Sequence, residues 1–248
     1  MDLVITSFNR TARRIVPTLI NVVSGNGRDG SPSRPTIPQY HFTVSLCRIL
    51  PFLFTVTATY AADKISLFNG RDLDNWQILG KAQWKVVDGE IHGGQFGNPK
   101  YGGILATRDS YKDFELDLEF KIDEHGKYNS GVYIRRQKER GNGPPYQVNI
   151  GRGAAGEPVG LHRVEWLDKG DENDRVRRPL KWNQLRIRAV GPHIEVWLNN
   201  KQIVDYTEKK PEPHLLKAGV IAFQTYGAEG HDGWIHFRKI RIEKLSTN

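Results

Sequence analysis

Phe114-Glu115-Leu116-Asp117-Leu118-Glu119-Phe120-Lys121-Ile122 alternates apolar and charged side chains over nine residues without a fault. A period of two marks a strand with one face buried and the other wet. The period returns on both sides of this stretch. Upstream, Trp84-Lys85-Val86-Val87 and Glu90-Ile91-His92 flank Asp88-Gly89, a pair suited to the left-handed backbone of a tight hairpin. Downstream come Gly131–Arg135, Tyr146–Ile150, Gln184–Ala189, His193–Leu198, Gln202–Tyr206, Gly219–Gln224 and Trp234–Ile242, separated by Gly, Pro, Asn and Asp. Asn199-Asn200-Lys201 reads as a second tight turn. No stretch of ten residues carries a helical stripe. Many short strands at turn spacing predict an all-β domain, a two-sheet jelly-roll sandwich.

Composition narrows the function classes. The chain has 248 residues, 38% hydrophobic and 26% charged. No window reaches the ~18 consecutive apolar residues of a membrane helix, which excludes a polytopic membrane protein. The single cysteine, Cys47, excludes a disulfide scaffold and a cysteine-based zinc site. The formal charge of +8 divides evenly by position: six Arg against two Asp in residues 1–61, and 30 Lys and Arg against 26 Asp and Glu beyond. That is a mixed surface without basic blocks, so no nucleic-acid partner is expected.

The first quarter reads differently from the rest. Residues 1–42 mix Arg, Ser, Pro, Gly and Asn without periodicity, as expected of a disordered or mis-assigned extension. Residues 43–61 then carry Arg48, the apolar run Ile49–Ala58 and the start of the small-residue exit, Thr59-Tyr60-Ala61, which Ala62 continues. Those are the parts of a secretory signal peptide. The expectation is translation starting near Val44 or Leu46, a secreted or periplasmic protein, and a mature domain over 62–248 with no membrane span.

Leu67-Phe68-Asn69-Gly70-Arg71-Asp72-Leu73-Asp74-Asn75-Trp76 resembles the opening signature of the 3-keto-disaccharide hydrolase family. Later blocks follow in the family's order: Trp84 to Gly89, Asp113-Phe114-Glu115-Leu116, Asn129-Ser130-Gly131-Val132-Tyr133-Ile134-Arg135, Trp182-Asn183, Trp197-Leu198-Asn199 and Phe237–Ile242. The resemblance runs from about 65 to 245. It implies a concanavalin A-like sandwich of the lectin and glucanase type, exported, acting on glycosides oxidised at the sugar C3. A C3 ketone acidifies the C2 proton; its removal gives an enolate that expels the C1 oxygen, and water adds afterwards. Such a site needs a base, donors for the enolate oxygen and an acid for the leaving group, but no nucleotide cofactor.

The resemblance points to Asn129 and Arg135 in the most recognisable block, Arg135 as a group for enolate or sugar oxygens. Where the family commonly has Tyr-Glu-Val-Gln, this chain has Tyr146-Gln147-Val148-Asn149, which removes a possible base. Period two puts Gln147 and Asn149 on one face, a candidate sugar site with Tyr133. The usual His-Gly after the last Gln is altered to Gln224-Thr225-Tyr226-Gly227. A replacement base is expected among His162, Glu165 and Asp168, or at His231.

Two other readings compete. Glu115, Asp117 and Glu119 spell the Glu-x-Asp-x-Glu pattern of retaining jelly-roll β-glucanases, on one strand face with neighbours ~6.5–7 Å apart. A retaining pair needs ~5–5.5 Å, within reach of flexible side chains. The plainer reading is the wet face of a half-buried strand. Alternatively, Tyr133, Tyr146, Trp166, Trp182, Trp197, Tyr226 and Trp234 could stack on sugars in a non-catalytic binding module, although at least half are expected in the core. Asp168, Asp171, Glu172 and Asp174 match no calcium loop and read as a solvated turn. No metal is expected, and the expected ligand is a carbohydrate.

Overall fold

The computed structural model describes residues 64–94, 102–124, 128–138, 143–151, 157–226 and 233–246. Residues 1–42 and 43–61, the expected extension and leader, and His231 lie outside them. Fifteen strands form two antiparallel sheets. The first sheet holds β1 (Ile65–Ser66), β3 (Gln83–Val87), β4 (Glu90–Gly94), β6 (Phe114–Ile122), β11 (Asn183–Val190), β12 (His193–Leu198), β13 (Lys201–Thr207) and β15 (Trp234–Lys244). Its order is β13-β12-β11-β6-β15-β4-β3, with β1 also paired to β15. The second holds β2 (Trp76–Gly80), β5 (Gly103–Thr107), β7 (Ser130–Arg136), β8 (Tyr146–Ile150), β9 (Gly160–His162), β10 (Trp166–Asp168) and β14 (Val220–Thr225), in the order β10-β9-β8-β7-β14-β5-β2. The described residues contain no α-helix, only a 3-10 turn at Pro213–Leu216. This is the jelly-roll sandwich expected of the concanavalin A-like class.

Alternation builds the core. β6 buries Phe114, Leu116, Leu118, Phe120 and Ile122 and turns its charges outward. Between the sheets, Phe223 of β14 stacks on Phe237 of β15 with centroids 4.1 Å apart, and Trp76 lies 5.1 Å from Phe223. Each such buried ring contributes about 2–3 kcal/mol of transfer free energy. Trp84 packs over Gly93, where an added Cβ would come within 2.2 Å of the indole, so the strand leaves that place empty for the ring.

The expected turns form as read: Asp88 and Gly89 have φ of 50° and 77°, and Asn199 and Asn200 have 49° and 67°. The pattern missed β1, β2, β5, β9 and β10. Two or three residues cannot display a period, and the apolar run of β5 shows none. The aromatic expectation is corrected. Of the seven proposed stacking residues only Tyr146 is core; the buried tryptophans are Trp76 and Trp84.

The acidic turn also differs from expectation. Asp171 is buried, and its carboxylate accepts the backbone N–H groups of Arg175, Val176 and Arg177. Asp168 caps the Gly170 N–H, Glu172 pairs with Lys169, and Asp174 pairs with Arg177. These carboxylates organise the loop.

Candidate active site

The outer face of the seven-stranded sheet gathers most of the candidates. Strand register sets His162, Gln147, Tyr133, Ala222 and Ala106 in one row across β9, β8, β7, β14 and β5. Gly160, Asn149, Gly131, Gln224 and Ile104 form the next. Gly131 leaves a gap that Gln147 fills: an added Cβ there would lie 2.2 Å from Gln147 Nε2. Across that gap Gln147 Nε2 donates to Gln224 Oε1 at 3.0 Å and approaches Asn149 Oδ1 at 3.5 Å. Asn149 is anchored through its Nδ2, which donates to Pro158 O at 2.9 Å.

Next to these rows lies a cleft of about 580 Å³ with Leu79, Ile104, Tyr133 and Gln147 in its wall. His162, Arg163, Arg136, Pro144 and Pro145 complete it. The His162 ring meets Trp166 edge-on with centroids 5.2 Å apart. Arg163 donates to Pro144 O and pairs with Glu212. Burial pushes the Tyr133 phenol up, with Arg136 pulling it back only in part, so the hydroxyl remains a donor at neutral pH.

Asn129 shares the outer face by period two from Gly131 and Tyr133. Its Nδ2 donates to the Glu157 carboxylate in a short hydrogen bond. Its Oδ1 is buried and makes no hydrogen bond among the described residues. Glu157 was not anticipated. Nothing in the spacing of Gly151-Arg152-Gly153-Ala154-Ala155-Gly156-Glu157 announces an acid returning to the sheet; a search for carboxylates near Asn129 alone could have raised it.

Arg135 does not join the face, which corrects the expectation. It has φ of 51°, and the β7–β14 register slips by one residue between Ala222↔Tyr133 and Val220↔Arg136. A bulge of this kind puts two residues where alternation allows one. Arg136 therefore takes the outward place and lines the cleft, while Arg135 turns inward and is 1% exposed. Its guanidinium donates to Asp113 Oδ1 and to the carbonyls of Lys112, Gly191 and Leu215. These partners lie in the loops before β6 and after β11 and in the 3-10 turn, so Arg135 ties the two sheets together at one end.

Glu165 is exposed in the β9–β10 turn, Asp168 is spent on its loop, and Tyr226 is 39% exposed just past β14. Glu115, Asp117 and Glu119 face outward from the other sheet. Lys64 Nζ lies 2.7 Å from Glu115 and 2.6 Å from Asp117; Arg238 and Lys239 lie 2.7 and 2.9 Å from Glu119. Desolvation works to raise the Glu119 pKa, but hydrogen bonds from Lys239 and Arg238 outweigh it and hold the carboxyl below its ordinary value. A glucanase acid requires the opposite shift.

The chain is 25% identical over 228 residues to a 3-keto-disaccharide hydrolase of Bacteroides thetaiotaomicron, covering 73% of this chain and 78% of that one. Its fold is similar to a galectin-like protein of unknown function from Bacillus subtilis, with a TM-score of 0.58, 10% identity, and 75% and 97% of the two chains covered. It is also similar to the carbohydrate-binding module CBM66 from Bacillus subtilis, with a TM-score of 0.51, 15% identity, and 68% and 96% covered. Residues 63–243 match the sequence profile of the 3-keto-alpha-glucoside-1,2-lyase-like domain, and the chain belongs to that family of carbohydrate-active hydrolases.

Proposed function

We propose that the outer face of the seven-stranded sheet cleaves glycosides oxidised at C3, with Glu157 as the base. The observation that carries this reading is the Asn129–Glu157 pair on the face where Gln147 replaces the usual acid. Glu157 takes the C2 proton. The electron pair moves into a C2–C3 enolate, and the negative charge on the C3 oxygen meets the amide N–H groups of Gln147 and Gln224 and the Tyr133 hydroxyl. Collapse of the enolate breaks the C1–O bond, and the leaving oxygen takes a proton from His162 or from water. Water then adds across the C1–C2 double bond, its hydroxyl to C1 and its proton to C2. Asn129 is a positioning residue that aims the carboxylate. Preorganised donors of this kind act where charge develops.

A product assay on the purified protein with 3-keto-trehalose beside plain trehalose tests this. The expected result is glucose release from the keto sugar alone, with deuterium entering C2 in heavy water. Glu157→Gln is expected to lose at least about 100-fold in turnover with the melting temperature little changed. Undiminished turnover in that variant would remove Glu157 from the mechanism. Binding without turnover of either sugar would favour a carbohydrate-binding module, a reading supported by the Gln at position 147. Export is part of the same proposal: the mature protein is expected to begin at Ala62 or Asp63, and an intact 1–40 segment on the isolated protein would overturn it.

A further inference from the structure

One cluster on the outer face of the eight-stranded sheet is used neither by the cleft nor by the ion-paired strand β6. Glu90 and His92 share a face of β4, and His236 of β15 stands directly across from His92. All three are half-buried. Glu90 Oε2 lies 3.2 Å from His92 Nε2 and 3.2 Å from His236 Nδ1. The first contact is a hydrogen bond. The second is not: His236 Nδ1 is buried and has no hydrogen-bond partner among the described residues. His236 Nδ1 and Glu90 Oε2 thus face each other at 3.2 Å without a hydrogen bond between them. A cation placed between them would satisfy both atoms.

We propose that Glu90, His92 and His236 form a binding site for a divalent transition-metal ion of the zinc and cobalt type. One ligand atom from each residue lies within 4.8 Å of the other two. A tetrahedral ion with bonds of ~2.0–2.2 Å holds its ligand atoms ~3.3 Å apart, close to the two 3.2 Å separations on Glu90. Two imidazoles and one carboxylate select a borderline metal over calcium or magnesium, which take oxygen. The two rings stack with centroids 3.5 Å apart and planes 6° from parallel. Ligation therefore turns each ring about its Cβ–Cγ bond, a broad and soft torsion in histidine. Trp234 walls the site 4.5 Å from the His236 ring, and Arg238 Nη1 stands 3.9 Å from Glu90 Oε1, the oxygen not aimed at the histidines. Three protein ligands leave a fourth position for water. Lys85 and Lys121 lie across from His92 and His236, so affinity is expected to be micromolar rather than tighter. The ion would clip β4 to β15 on the face away from the cleft.

The test uses the full chain without a histidine tag, stripped with a chelator, and reads binding without activity. Zn²⁺ is expected to raise the melting temperature by several degrees and saturate at one ion per chain, and Co²⁺ to give the visible absorption of a tetrahedral site. Ca²⁺ is expected to do neither. His92→Ala and His236→Ala, each compared with its own metal-free form, should lose both signals. Glu90→Gln keeps the side chain's shape and should weaken binding at least tenfold. His193→Ala, in the separate His193–Glu195–Asp205 cluster, should bind like the wild type. No Zn²⁺ shift and no Co²⁺ absorption in the wild type would overturn the proposal, as would signals that survive in both the His92 and His236 variants.

Discussion

The two outer faces of the sandwich stand on the same pleat and end in opposite chemistries. On β6 the outward side chains are Glu115, Asp117, Glu119 and Lys121, and across the strand boundaries stand Arg188, Arg186 and Arg238. Lys64 pairs with Glu115 and Asp117, Lys239 pairs with Glu119, and Arg186 lies over Trp197 at 4.0 Å. A smaller cleft of about 180 Å³ lies among these paired groups. On the seven-stranded sheet the outward groups are amides, a phenol, an imidazole, glycines and small aliphatics. Amide–amide contacts at 3.0 and 3.5 Å exchange readily for a sugar hydroxyl, and Asn129 Oδ1 has no hydrogen-bond partner to lose among the described residues. Carboxylates already held by ion pairs gain little from a polar ligand, whereas an amide cluster gains a hydrogen bond at each contact.

The largest effect that breaks this comparison comes from adjacent residues that the bulge sends to opposite sides. Arg135→Ala removes the cation beside buried Asp113 and the donor to the Lys112, Gly191 and Leu215 carbonyls, and is expected to cost about 3–5 kcal/mol. For a domain of this size that lowers the melting temperature by roughly 10 °C. Arg136→Ala lines the cleft and should change the melting temperature by no more than a few degrees while weakening sugar binding. Equal stability losses in the two variants, measured by urea unfolding, would show that the bulge does not separate their roles.

Gly131 sharpens the comparison from the other side. Gly131→Ala puts a methyl where Gln147 lies and must push the amide off Gln224, yet the glycine's φ is not in the left-handed region. The expected result is about tenfold weaker sugar binding, equivalent to about 1.4 kcal/mol, with a near-native melting temperature. The same sugar titrated against wild type by calorimetry reads it out; unchanged affinity would remove the Gln147–Gln224 bridge from the binding face.

Fold was legible because burial writes itself into sequence at a fixed period, as in Phe114–Ile122. The proposed sugar face was legible for the same reason: Gln147 and Asn149 fall together on β8, and the structure sets the other candidates Tyr133, Gln224 and His162 in register with them. Arg135 was misplaced because period two cannot count a bulge, and one left-handed residue reverses every assignment after it. Glu157 was invisible for a different reason. It reaches Asn129 from outside any strand, and the closure of a loop onto a sheet is a long-range event that leaves no local pattern. The His92–His236 pair depends on β4 and β15 being neighbours, residues far apart in sequence whose pairing no single strand records.

The smallest expected effect concerns Glu119, where the two faces differ by pH rather than by ligand. Its carboxyl is held below its ordinary value, so the ionised form is favoured more in the folded than in the unfolded chain. Stability from this group is therefore full above the unfolded value of about 4.3 and is lost as pH falls through the lower folded value. Glu119→Gln removes the charge at every pH. At pH 7 the variant is expected to be about 1 kcal/mol less stable, no more, because Lys239 is 63% exposed and such pairs are weakened by solvent and salt. As pH falls through the lowered folded value the gap should close, because the wild type then protonates the same group. Turnover of the keto sugar should not change at all. A gap that persisted in acid would mean that Glu119 acts through packing, and a folded variant without turnover would move the active face to the eight-stranded sheet.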